Sequence, residues 1–103
     1  MANHKAAMHH LADELEELRR IKIASRDDLN EWFTRARKLE AVLTGKGGLS
    51  PEMPSILWHY LADADIRAKD EKYAALQDRQ ILLLIRFLRR GTIPSDEELR
   101  ECC

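Results

Sequence analysis

Cysteine is nearly missing from this chain: there are two, Cys102 and Cys103, adjacent at its end. Neighbours in sequence cannot staple distant segments, so stability must come from a packed core, as in a reducing compartment such as the cytoplasm. Long apolar runs are missing too. The longest, Ile81 to Ile85, falls far short of the ~20 residues that cross a bilayer. Met1 to Lys5 form no apolar leader, so neither membrane insertion nor export is expected. Nor is there an excess of one charge. Basic groups number 17 and acidic groups 18, with 9 and 8 of them in the first 50 residues. Neither half is a basic arm or an acidic tail, which leaves no electrostatic reason to expect nucleic acid or an anionic membrane as partner. At 45% hydrophobic, the 103 residues are too apolar for disorder, and their number suits one domain over 1–103.

Glycine and proline are scarce, and their placement is the clearest organising signal. All four glycines (Gly45, Gly47, Gly48, Gly91) and all three prolines (Pro51, Pro54, Pro94) fall within 45–54 and 91–94. The long stretches between are free of both, as helix interiors require. Ser25, Ser50, Ser55 and Ser95 stand near expected helix starts, where a hydroxyl accepts from an unpaired N–H. Ser95 to Glu98 reads as a capping box. Acidic groups open the expected helices (Asp27-Asp28, Asp70-Glu71, Asp96 to Glu98). Basic groups close several (Arg19-Arg20-Lys22, Arg35-Arg37-Lys38, Arg86-Arg89-Arg90), as the helix dipole favours.

Apolar spacing predicts four long helices. Met8, Leu11, Leu15 and Leu18 mark the first, over about 5–22. Leu29, Trp32, Ala36, Leu39 and Leu43 mark the second, over about 26–44. A short link at Ile23-Ala24-Ser25 predicts that these two form an antiparallel hairpin. Ile56, Leu57, Tyr60, Leu61 and Ala64 mark a third over about 54–68. A fourth, over about 71–90, centres on Ile81 to Ile85 with Phe87 and Leu88. No Gly or Pro separates the third from the fourth, so they are either continuous or kinked. The expected class is all-α: a four-helix bundle of antiparallel hairpins with a short C-terminal helix from Asp96.

Chemistry is sparsely encoded. Di-iron bundles use paired Glu-x-x-His motifs, and the chain has none. His59 and Asp63, at i and i+4, supply two ligands, which is short of a metal site. His4, His9 and His10 read as solvated residues of the first helix. No Ser or Cys adjoins a His in a nucleophile arrangement, so no enzyme and no cofactor is expected. Gly45-Lys46-Gly47-Gly48 follows a helix rather than a strand and lacks the phosphate-loop pattern, so it reads as a helix stop and link. A helix-turn-helix over 80–103 has suitable lengths, but its second helix would offer Asp96, Glu97 and Glu98 to DNA phosphates.

Two segments suggest an interaction surface. Trp58, His59, Asp63 and Arg67 combine an aromatic with charged groups in the manner of contact hot spots. Leu82, Leu83 and Phe87 lie in a stretch apolar on nearly every side, where a surface helix needs only a stripe. That helix is either wrapped centrally by the others or bare on one face, which a second copy often covers. The function expected is protein–protein interaction (an adaptor, inhibitor or regulatory subunit), with self-association through 71–90. The competing readings are a nucleic-acid-binding regulator and a small metal- or ligand-binding bundle.

Overall fold

The computed structural model describes residues 2–45 and 53–100, and these form six helices and no strand. They are α1 (Ala2–Arg20), α2 (Arg26–Thr44), α3 (Ser55–Ala62), α4 (Ala64–Arg67), α5 (Glu71–Arg89) and α6 (Asp96–Arg100). The expected start at Ser50, the Lys46-Gly47-Gly48 link with Pro51, the His4 side chain and the Cys102-Cys103 pair lie outside the described residues.

Helix ends follow local chemistry closely. Ser25 caps α2, its Oγ accepting from Asp28 N at 3.1 Å, and Asp70 caps α5 by accepting from Tyr73 N at 3.1 Å. Gly91, at φ 79°, ends α5 in a Schellman turn: its N–H bonds to Leu88 O and that of Thr92 to Phe87 O, both at 3.0 Å. The capping box is present, with Glu98 N donating to Ser95 Oγ (3.2 Å) and Ser95 N to Glu98 Oε1 (3.1 Å). Ser55 departs from expectation. It is the first residue of α3, behind Pro54, and the helix start is capped from a distance by Asp96. Asp96 accepts from Ser55 Oγ (2.7 Å) and from Ile56 N (2.9 Å), tying α6 to α3. Arg35, Arg37 and Lys38 do not close α2, whose last turn holds no basic residue.

The predicted stripes are the core. Met8, Leu11, Leu15 and Leu18 are buried; so are Trp32, Ala36, Leu39 and Leu43, with Leu29 half-buried beside them. Ile56, Leu57, Tyr60, Leu61 and Ala64 are buried as well. The principal seam joins α1 to α5, the first long helix to the last. They run antiparallel: Asp13 and Glu16 meet Arg89, while Arg19 near the other end of α1 meets Asp78. α2 also packs on α1, with Trp32 Nε1 donating to Leu18 O at 3.2 Å. The expected third helix is broken at Asp63 (φ −105°, ψ 18°), and α4 is separated from α5 by Ala68 to Asp70. The cause of the break is tertiary and involves Arg67, as described below.

Leu84 is wholly buried where α5 meets the core, so Leu84→Ala should cost about 3 kcal/mol by urea unfolding. Burial opposes the charge of Asp96, but the bonds from Ser55 and Ile56 outweigh it and hold its carboxyl below the usual value. The stability it contributes is complete above the free-carboxyl pKa and is lost as pH falls through the folded one. Asp96→Asn should therefore lower the urea midpoint at pH 7 and shrink the further drop on acidification to pH 3.

Candidate functional site

The densest polar network lies where α3, α4 and α5 meet the aromatic side of α2. Breaking the helix at Asp63 frees carbonyls at the end of α3, and Arg67 returns to take one: its Nη1 donates to Tyr60 O at 2.7 Å. The same nitrogen donates to Gln77 Oε1 at 2.5 Å. Gln77 is the buried polar residue of the core, in one row with Ile81, Leu84 and Leu88. Its Nε2 donates to Tyr73 Oη (2.9 Å) and to Asp63 Oδ2 (3.3 Å), and Tyr73 Oη donates to the same Asp63 oxygen (2.5 Å). One carboxylate thus fixes the break through two donors from α5.

The Arg67 guanidinium sits between aromatic rings. Its Cζ lies 4.1 Å from the Tyr60 ring centroid and 4.9 Å from that of Trp32, within cation–π range. Trp32 in turn meets Tyr60 and Phe33 edge-on, at 5.7 Å in each case. Burial pulls the Arg67 pKa down, against the pull of Tyr60 and Asp63, but a guanidinium stays charged at neutral pH. Among the described residues no carboxylate forms an ion pair with it. Arg19, by contrast, is fully matched: Nε and Nη2 bind both oxygens of Asp78 at 2.7 and 3.1 Å, which raises the Arg19 pKa further. Between these two arginines opens a cleft of about 350 Å³, walled by Leu18, Ile21, Ile23 and Trp32 and edged by Tyr60 and Asp78.

Of the residues singled out by sequence, Asp63 and Arg67 join this network. Trp58 and His59 do not: Trp58 is half-buried against the core and His59 is exposed. No group of three potential metal ligands occurs among the described residues. Leu82, Leu83 and Phe87 are all half-buried, but not on one face. At ~100° per residue, Leu83 shares an outer stripe with Leu76 and Phe87, while Leu82 points elsewhere. α5 contacts α1, α3, α4 and α6, so it is central and yet has a half-exposed stripe. Beside that stripe Lys72, Arg79 and Arg86 recur every seven residues. All three are exposed, and none makes an ion pair among the described residues, whereas Arg19, Arg20 and Arg89 all do. α6, the second helix of the helix-turn-helix reading, is docked with Leu99 buried and Asp96 bonded to α3.

The sequence held a signal for Gln77: a polar residue at the core spacing of Ile81, Leu84 and Leu88 needs buried partners. The role of Trp32 and Tyr60 as a cradle for Arg67 has no such signal, since both fit their core stripes. No family model, curated protein or solved structure matches the chain.

The chain has two tyrosines, and both resist ionisation: Tyr60 mainly through burial, Tyr73 mainly through its bond to Asp63. Because their folded pKa values exceed the usual 10.0, the stability they contribute is complete below that value and lost as pH rises through the folded ones. Phenolate absorbance should thus rise at higher pH in folded than in urea-unfolded protein, and Asp63→Asn should return one tyrosine towards 10.0. Folded tyrosines titrating like unfolded ones contradict the network.

Proposed function

We propose that the chain is a non-enzymatic, cytoplasmic four-helix bundle with a short C-terminal helix, and that it acts by holding another protein on the outer face of α5. One observation supports this reading above all. The half-exposed apolar stripe of Leu76, Leu83 and Phe87 runs beside the row Lys72, Arg79 and Arg86, whose charges form no ion pair among the described residues. An apolar seam edged by one charge is the pattern of a helix that pairs with an oppositely charged, amphipathic segment. The partner is accordingly an acidic amphipathic helix. A second copy of the chain is the competing occupant. An α5–α5 pair about a two-fold axis across the helices sets the basic row against itself, and like charges oppose that pairing. Duplex nucleic acid would use the basic row but leave the apolar stripe wet.

The test is binding of two labelled helical peptides with the same leucine stripe, one flanked by Glu and one by Lys. The Glu peptide is expected to bind, more weakly as salt rises, and the Lys peptide not to bind. Reversing two edge charges in Arg79→Glu/Arg86→Glu should cost about 2 kcal/mol, roughly thirtyfold in Kd. Equal binding of the two peptides, salt-insensitive dimerisation by sedimentation, or retention of duplex DNA in place of the peptide overturns the reading.

A further inference from the structure

We propose that the cleft beside Arg67 is a binding site for a small organic monocarboxylate with a flat or branched apolar body. It does not use the outer apolar stripe of α5: that helix contributes Ala74, Ala75 and Asp78 here, of which Ala75 lies one turn before Arg79 at the edge of the basic row. Arg67 has unused hydrogen-bond capacity. A guanidinium has five N–H donors. Nη1 of Arg67 spends its two on Tyr60 O and Gln77 Oε1, which leaves Nε and Nη2 without an acceptor among the described residues. Neither atom is sealed from solvent, because no buried side-chain polar atom among the described residues lacks a partner. The same holds for the Tyr60 hydroxyl, which has no hydrogen-bond partner among the described residues and belongs to the cleft lining.

The remaining charges select the sign and number. Asp78 edges the cleft and would repel an anion, but both its oxygens are held by Arg19. Asp63 and Asp65 act on Arg67 from a distance, and Asp63 is bonded to Tyr73 and Gln77 instead. Arg19, Arg67 and Asp78 together leave the lining one positive charge in excess. One carboxylate matches that excess and fits the free edge of a guanidinium already fixed by two bonds and two rings. The Tyr60 hydroxyl is available as a further donor. Leu18, Ile21, Ile23 and Trp32 also line the cleft, which favours an apolar body, and about 350 Å³ holds a molecule the size of benzoate or phenylacetate.

Titration followed by the Trp32 indole N–H resonance tests this, with benzoate as probe and benzamide, benzylamine and inorganic phosphate as comparisons. Benzoate should shift the resonance saturably, while the neutral, cationic and inorganic probes should not. Arg67→Lys, which keeps the charge but loses the planar fork, should weaken benzoate at least about tenfold. Ala75 is exposed, so Ala75→Phe blocks the cleft without disturbing the core and should abolish the shift even if the Arg67 variant does not fold. Leu76→Ala/Leu83→Ala, which trims the outer stripe and keeps every charge near the cleft, should leave benzoate binding unchanged, which separates this site from the protein-docking face. No saturable shift at about 10 mM benzoate, an equal response to benzamide or phosphate, or full binding by Ala75→Phe overturns the proposal.

Discussion

The antiparallel seam between α1 and α5 is the constraint on which the other contacts depend. It joins the chain's first long helix to its last, so everything between must close as a loop before the seam forms. The entropic cost of closure grows only slowly with loop length, whereas each buried Leu or Ile contributes about 1.5–3 kcal/mol. Leu11, Leu15 and Leu18 on α1 and Ile81, Leu84 and Leu88 on α5 are each at most 2% exposed. The ion pairs along the seam are of a different order. Exposed pairs such as Arg89 with Asp13 are worth about 0–1 kcal/mol. They decide register rather than stability: only one antiparallel alignment brings Arg89 to Asp13 and Glu16 while Arg19 reaches Asp78.

With the seam in place, the chain has to turn twice within a few residues between α3 and α5, and no glycine or proline is present to do it. The turn is held by side chains instead. A helix broken at Asp63 exposes carbonyls that would be costly to leave unpaired. Arg67 pairs one of them, and the rings of Tyr60 and Trp32 offset part of the cost of burying its charge. The residue that repairs the backbone is thereby fixed in a cleft with most of its donors unused. A structural requirement and the proposed recognition feature meet in one side chain.

These two levels were not equally legible in the sequence. Helix borders were, because a cap is local: Ser25, Asp70, Gly91 and the Ser95–Glu98 box act on N–H and C=O groups within three or four residues. The buried stripes were legible for the same reason, since periodicity is a property of one segment. Which helix pairs with which was not. The short link between α1 and α2 pointed to their hairpin, but a stripe does not name its partner, and the longer seam lies with α5. The break at Asp63 was invisible because its causes, Tyr73 and Gln77, lie ten and fourteen residues away. Of the candidate surface, Asp63 and Arg67 are drawn into the network at the break, while Trp58 and His59 stay on α3 outside it.

Charge on α5 supports the proposed reading of its outer stripe as a docking face. Its two acidic residues, Glu71 and Asp78, lie towards the side that meets α1, where Asp78 binds Arg19. About a quarter-turn round the helix from them, the polar edge beside the outer stripe is the basic row of Lys72, Arg79 and Arg86. A helix needing only solubility there gains more from mixed signs, since i,i+4 pairs of opposite charge add about 0.2–0.5 kcal/mol each and like charges cost as much. Forgoing those pairs along about four turns, beside apolar side chains only half covered, is a local conflict that the fold itself does not relieve. Such conflicts concentrate where a surface is built for something outside the chain. An acidic amphipathic helix laid along α5 relieves both parts at once, covering the leucines and neutralising the row.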